Sequence, residues 1–241
     1  MIGFDIRWYE SIGSTNNEAL RLARAGAAHG TVVYARKQTA GRGRLGRQWH
    51  SPAGNLYVSI LLRPDVAPAK AATLSFVTAL AVADMIDAFL PGEMRARLKW
   101  PNDVLVDGAK IAGILTEYVD TAVIVGIGVN IRHVPSGAPY PVTSLAACRG
   151  VVPEAGAELT VLLEFFGSRF FEWEAHGFAA TRTAWLARAP APGSPLRVTL
   201  GARSVVGRFA DLGPDGALMI ATDDGPARIV SGEVIDSPKP V

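Results

Sequence analysis

Lys99-Trp100-Pro101-Asn102-Asp103-Val104-Leu105-Val106-Asp107-Gly108-Ala109-Lys110-Ile111-Ala112-Gly113-Ile114-Leu115-Thr116-Glu117 is the stretch that decides how this chain is read. Asp107-Gly108 is a two-residue turn signal, because both residues tolerate positive φ. Val104, Leu105 and Val106 approach that turn, and Ile111, Ile114 and Leu115 leave it, so the segment predicts a β-hairpin. Such a hairpin aims Lys99, Trp100, Asn102, Asp103 and Lys110 at one region of space. Charged faces are common on sheets that meet water. A purely structural hairpin nevertheless has no need of two lysines, an aspartate, an asparagine and a Trp-Pro pair so close together.

Upstream, residues 38 to 59 run from Gln38 through Gly41-Arg42-Gly43-Arg44-Leu45-Gly46-Arg47-Gln48-Trp49 to Asn55 and a strand from Leu56. Gly41, Gly43 and Gly46 match G-x-G-x-x-G. A dinucleotide loop must open directly into a helix whose N-terminus meets the pyrophosphate. Here the glycines run into Gln48-Trp49-His50-Ser51-Pro52, and no acidic residue ends a strand about 20 residues on. Gly-Lys-Ser/Thr is missing, so the loop is not a P-loop. A kinase-type loop is excluded because the chain has no His-Arg-Asp or Asp-Phe-Gly. What remains is a glycine-rich loop with three arginines, Arg42, Arg44 and Arg47. Guanidinium forks and exposed backbone N–H groups both suit phosphate oxygens.

The composition narrows the class. The 241 residues allow one large domain and a small one. An apolar content of 49% supports a packed core, and a net charge of +2 is too small for generic nucleic-acid binding. The basicity is local, which favours a small anionic ligand. A single cysteine, Cys148, excludes an intramolecular disulfide and reads as a packing residue. The scattered histidines give no zinc spacing, and no metal site is expected. No secretory leader pattern is visible. The apolar run from Ala71 to Leu90 contains Asp84 and Asp87 and falls short of a membrane span. A cytoplasmic protein without membrane attachment is expected.

Thr15-Asn16-Asn17-Glu18 has the pattern of a capping box, with Thr15 at the N-cap and a helix running to about Ala25, closed by Gly26. Strands are predicted over 31–38, 56–62, 97–100, 104–106, 111–118 and 122–131. Helical periodicity spans 69–90 and most of 160–189, and 132–158 reads as loop with short helical pieces. Ala189-Pro190-Ala191-Pro192-Gly193-Ser194-Pro195 reads as a linker. The short strands beyond it suggest a small barrel. Such a barrel could bind RNA, but Phe209 alone offers no aromatic pair for base stacking.

Gly41-Arg42-Gly43-Arg44-Leu45-Gly46-Arg47-Gln48-Trp49 and Lys99-Trp100-Pro101-Asn102-Asp103, in this order, resemble the biotin–protein ligases (biotin–[acetyl-CoA-carboxylase] ligases). Ser14-Thr15-Asn16, Gly126-Ile127-Gly128-Val129-Asn130 and Gly232-Glu233-Val234 resemble further segments of that family. Ser14 lies so near the start that the resemblance is to the monofunctional type, without an N-terminal DNA-binding domain. The resemblance implies an α+β fold. A mixed, mostly antiparallel sheet flanked by helices, as in class II aminoacyl-tRNA synthetases and biotin synthetases, would occupy residues 1–190. A C-terminal SH3-like β-barrel would occupy residues 194–238.

The same resemblance implies the chemistry. Biotin carboxylate attacks the α-phosphorus of ATP, giving biotinyl-5′-AMP, and a lysine of a biotin carboxyl carrier domain then takes the biotin. Mg²⁺ would arrive with ATP. Lys110, Arg44, Asp103 and Lys99 are the expected catalytic residues. Lys110 would sit between the two anions, and Asp103 would deprotonate the incoming lysine, orient Lys110 or assist the Mg²⁺ shell. Biotin would be held by Ser14, Thr15, Asn16 and Gln38, by Gly41, Arg42 and Gly43 of the loop, and by Lys110, Gly113 and Ile114. ATP would meet Arg42, Arg44, Trp49, Asn55, Lys99, Asn102, Lys110 and Asn130. The arginine loop is expected to be mobile without ligand, its like charges repelling one another. No DNA partner is expected, and exposed strand edges are compatible with a homodimer. Two rivals are a lipoate–protein ligase, which would want a longer apolar slot, and a non-enzymatic nucleic-acid binder.

Overall fold

Asp107 (φ 49°) and Gly108 (φ 76°) both adopt the left-handed conformation, so the predicted two-residue turn forms and fixes the register of the hairpin. The computed structural model describes residues 2–154 and 156–235. The last residues of the expected barrel, 236–238, lie outside the described residues.

Seven strands make the central sheet: β1 (Asp5–Tyr9), β2 (Thr31–Ala35), β3 (Leu56–Leu62), β4 (Arg97–Lys99), β5 (Asp103–Val106), β6 (Ala109–Val119) and β7 (Ala122–Val129). Their spatial order is β1-β2-β3-β7-β6-β5-β4. Only β1 and β2 pair in parallel; the other pairs are antiparallel. The sheet is covered on both faces. Helix α1 (Thr15–Arg24) packs Ala19, Leu22 and Ala23 against Val33, Leu61 and Ile124 on one face. The opposite face carries Val58, Ile60, Val125 and Ile127 into the main core, with α2 (Pro68–Ala71), α3 (Leu74–Phe89), α4 (Ala157–His176) and α5 (Phe178–Leu186). Helix α3 is apolar nearly all round because it lies inside that core, as buried helices are. Its Asp84 and Asp87 are matched by Arg169 and Arg188 at 2.7–2.8 Å.

Three details differ from the sequence reading. Ser14, not Thr15, caps α1: its hydroxyl accepts from the Asn17 N–H, and its carbonyl accepts the first helical bond from Glu18. Thr15 is turned inward instead, where its N–H and hydroxyl both reach Gln38 Oε1. The long C-terminal helical run breaks at Gly177, whose φ of 70° no helix accommodates. The loop after β7 carries turns and bends but no helix among the described residues.

The C-terminal module has β8 (Pro195–Leu200), β9 (Arg203–Leu212), β10 (Leu218–Thr222), β11 (Gly225–Ile229) and β12 (Glu233–Ile235), in the order β11-β10-β9-β8-β12. It is SH3-like, but among the described residues β11 and β12, the two edge strands, do not pair with each other, so hydrogen bonds do not close the expected barrel there. Its Val198, Phe209, Leu218 and Ile220 belong to the same hydrophobic cluster as Phe76, Trp100 and Trp185.

Candidate active site

Alternation along the central strands empties one face of the sheet. In β7 the side chains of Val123, Val125, Ile127 and Val129 enter the core, while Gly126 and Gly128 face the other way. They pair with Leu115 and Gly113 of β6. The floor so formed is backbone, and it leaves room for side chains from above. A Cβ on Gly126 would overlap the Asn16 amide, and one on Gly128 would overlap the Trp49 indole. This gives the Gly-Ile-Gly pattern a physical reason.

One wall is the start of α1. Ser14, Thr15 and Asn16 are all buried. Gln38 Oε1 accepts from the Thr15 N–H at 2.8 Å, and Gln38 Nε2 donates to Ser51 Oγ at 2.9 Å. Ser59 Oγ lies 2.6 Å from Asn16 Oδ1 and 2.8 Å from Thr15 Oγ1. Asn16 Nδ2 donates to Glu117 at 2.8 Å. This network fixes the polar groups before any ligand arrives.

The hairpin supplies the opposite wall. Lys110 Nζ lies 2.6 Å from Asp103 Oδ1, and both side chains are largely buried. The ammonium also lies over two rings, Trp49 and Tyr140, each with its centroid 5.5 Å away. The Trp49 ring lies over Gly113 and Gly128, and its indole N–H is buried without a partner. Two cavities meet at Lys110. A slot of about 100 Å³ touches Ser14, Thr15, Gln38 and Gly113. A cavity of about 660 Å³ touches Lys99, Asn130, Arg47 and His50.

The glycine loop closes over this junction, and its arginines are not left to repel one another. Arg42 pairs with Glu117 of β6. Arg44 donates to Asn102 Oδ1 at 3.0 Å and to the Gly232 carbonyl at 3.3 Å. Arg47 forms a two-pronged contact with Glu233 of β12. Burial lowers the Arg44 guanidinium from its ordinary value, while Asp103 and Glu233 favour its charged form. The hydrogen bond from Arg47 holds the Glu233 carboxyl below the usual range. Leu45 stays exposed, so nothing apolar anchors the loop.

Most of the residues expected from the sequence thus converge on the two cavities, and two do not. Asn55 lies outside both. Its Oδ1 accepts from the N–H groups of Ile131, Arg132 and His133, and its Nδ2 donates to the His133 carbonyl. It clamps the loop after β7 rather than facing a ligand. Gly41 also stays behind the wall, where a Cβ would meet Ser51 Oγ and the Trp49 carbonyl at 2.5 Å. Asn102 faces the slot, but its Nδ2 is used on the Ile114 carbonyl and its Oδ1 on Arg44. Asn130 likewise donates Nδ2 to the Thr143 carbonyl while bordering the larger cavity.

Comparison with known proteins places this geometry. Residues 8–131 match the biotin/lipoate A/B protein ligase family, and residues 193–235 match the biotin protein ligase C terminal domain. The chain belongs to this family. A biotin–[acetyl-CoA-carboxylase] ligase of Paracoccus denitrificans is 40% identical over 92% of this chain and 96% of its own length. The bifunctional ligase/repressor BirA of Bacillus subtilis is 32% identical over 97% of this chain and 74% of its own length. The biotin protein ligase from Aquifex aeolicus, solved in complex with biotin and ATP, superposes with a TM-score of 0.84 at 30% identity, covering 96% of this chain and 97% of that one.

Sequence reasoning missed Glu117, Glu233 and Tyr140. The two glutamates are distant in sequence from the arginines they hold, so no local signal points to them. Tyr140 had one: an aromatic residue fixed between Pro139 and Pro141 in a loop.

Proposed function

We propose that this chain is a biotin–protein ligase that joins biotin to ATP as biotinyl-5′-AMP and then transfers biotin to a lysine of a carrier domain. The observation that carries the reading is the meeting of a glycine-floored polar slot and a larger basic cavity at one buried ammonium, that of Lys110. Biotin has a neutral ureido group, and Ser14, Thr15, Asn16 and Gln38 offer it hydroxyl and amide partners. The nucleotide would lie on the side of Lys99, Asn130 and Trp49. Attack of the carboxylate on the α-phosphorus brings two anions together and releases pyrophosphate. Lys110 and Arg44 offset the repulsion where they meet. Aminolysis needs a neutral lysine, and Asp103, beside Lys110, would serve by taking its proton, by orienting Lys110 or by assisting a Mg²⁺ shell. Mg²⁺ would arrive with ATP, held mostly by phosphates and water, and Arg42, Arg44 and Arg47 would complement the remaining phosphate charge.

The slot of about 100 Å³ is smaller than the roughly 300–1,000 Å³ usual for ligand sites. Entry of biotin would therefore need the slot to widen, most simply by displacement of the Trp49 ring that lies over its glycine floor, which would free the indole N–H to find an acceptor. The enzyme would act in the cytoplasm, where ATP and the carrier domain are at hand. The test is exchange of labelled pyrophosphate into ATP with biotin, with lipoate or with neither. Exchange with biotin alone is expected. Exchange supported by lipoate instead would assign the lipoate branch, and no exchange with either would remove the adenylation reading.

A further inference from the structure

Lys110 pairs with Asp103 and feels the charge of Glu233, which Arg47 already holds. Its other close partners among the described residues are two rings. Trp49 comes from the glycine loop and Tyr140 from the loop after β7, and the ammonium lies 5.5 Å from each centroid. A cation within about 6 Å of a ring face is attracted by its quadrupole, most strongly where water is excluded. The Lys110 side chain is only 15% exposed.

Tyr140 is not at this place by accident of a loose loop. The Lys110 N–H donates to the Pro141 carbonyl at 2.9 Å, and the Thr143 N–H donates to the Lys110 carbonyl at 2.9 Å. Val142 forms a parallel β-bridge with Lys110 itself. Asn130 ties the same segment to the end of β7 through the Thr143 carbonyl at 3.0 Å. Pro139 and Pro141 restrict the backbone on either side of the tyrosine. The loop is thus stitched to the residue whose side chain the ring faces. Tyr140 also borders both cavities.

We propose that Tyr140 is a positioning residue for adenylation: its ring, with that of Trp49, brackets the Lys110 ammonium at the junction of the biotin and nucleotide cavities. The proposal rests on the ligase reading above. The bracket has a use that a second carboxylate would not serve. Lys110 must present net positive charge to two incoming anions, and an additional acidic partner would cancel it. A ring face holds the ammonium without neutralising it. It also holds it when Trp49 moves to admit biotin, since Tyr140 comes from a different loop with its own anchors.

The experiment compares wild type, Tyr140→Leu and Tyr140→Phe in biotin-dependent pyrophosphate exchange, with kcat and KM for ATP measured separately. Phe keeps the ring face, and Leu removes it. Tyr140→Leu is expected to lower kcat about tenfold, in the range of a desolvated cation–ring contact, with KM for ATP within about threefold. Tyr140→Phe is expected to stay within about threefold of wild type in both constants. In a Lys110→Met background, Tyr140→Leu is expected to change biotin affinity no further by equilibrium dialysis. A Leu variant within twofold of wild type would overturn the proposal. So would a Phe variant as impaired as Leu, or a loss carried wholly in KM for ATP, which would make Tyr140 a wall for the nucleotide. If Leu also lowers the thermal midpoint, the Phe variant decides alone. A wild-type protein without biotin-dependent exchange would instead count against the ligase reading.

Discussion

The Lys110–Asp103 ion pair lies where the two cavities meet, and its two members are expected to act in different half-reactions. An ammonium in a water-poor site that stabilises developing charge contributes roughly 3–4 kcal/mol, a hundredfold or more. Lys110→Ala is therefore expected to lower biotin-dependent pyrophosphate exchange at least about a hundredfold while circular dichroism stays native. Exchange within a few-fold of wild type would take Lys110 out of the mechanism. Asp103→Asn keeps an acceptor oxygen beside Lys110, so biotinyl-AMP should still form. Transfer to the carrier lysine should slow, and the defect should shrink as pH rises towards the ordinary lysine value of about 10.4 and more amine is neutral. Equal losses in both half-reactions at every pH would confine Asp103 to holding Lys110.

The glycine loop is an element held by charge rather than by packing. Arg42 reaches Glu117 in the sheet, Arg47 reaches Glu233 in the C-terminal module, and Leu45 stays largely exposed. Both ion pairs are partly exposed, and such pairs contribute only about 0–1 kcal/mol each. The loop is thus closed but easily opened, and its arginines are cleavage sites. Trypsin should nick the protein between residues 42 and 48, biotin plus ATP should slow that nicking strongly, and Glu233→Gln should speed it a few-fold without ligands. Nicking unaffected both by ligands and by Glu233→Gln would show that neither contact controls the loop. The sign of the pH effect follows from Glu233. Its carboxyl is held below the usual range by Arg47, so the contact is in place above that range and is lost as pH falls through the lowered value. Protection of the amides of residues 43–47, measured against their intrinsic exchange rate at each pH, should fall only at acid pH.

The two modules share one hydrophobic core, so a single cooperative transition is expected. Trp100, beside the hairpin, donates its indole N–H to the Gly216 carbonyl of the C-terminal module at 3.0 Å in a buried position. Phe76 of α3 packs against the same Gly216, and Arg182 of α5 donates to the Leu212 carbonyl at 2.5 Å. Tryptophan fluorescence and far-UV circular dichroism should therefore report one coincident urea transition. Trp100→Phe leaves the Gly216 carbonyl buried without its donor and should cost about 1–3 kcal/mol. Two separate transitions would show that the modules fold independently. The same contacts explain how Gly232 and Glu233, near the far end of the chain, come to hold a loop at 42–47.

The amino-acid sequence alone determined the hairpin, because Asp107-Gly108 dictates its own turn, and the strand from Leu56 to Leu62, because a continuous apolar run has to be buried. Lys110, Asp103 and the loop arginines already stand out in the sequence, clustered in two short charged stretches, and the structure brings them to the two cavities. Sequence alone misplaced the cap of α1 by one residue, because Ser14 and Thr15 are both competent caps and only the contact with Gln38 turns Thr15 inward. Asn55 reads as a ligand residue beside a basic loop, yet three backbone N–H groups of residues 131–133 claim its oxygen. Tertiary structure alone decided that the glycines of β6 and β7 form a floor, that Glu117 and Glu233 hold the arginines, and that Tyr140 faces Lys110. Each of these is a contact between segments far apart along the chain, and local propensity carries no information about which distant surfaces meet.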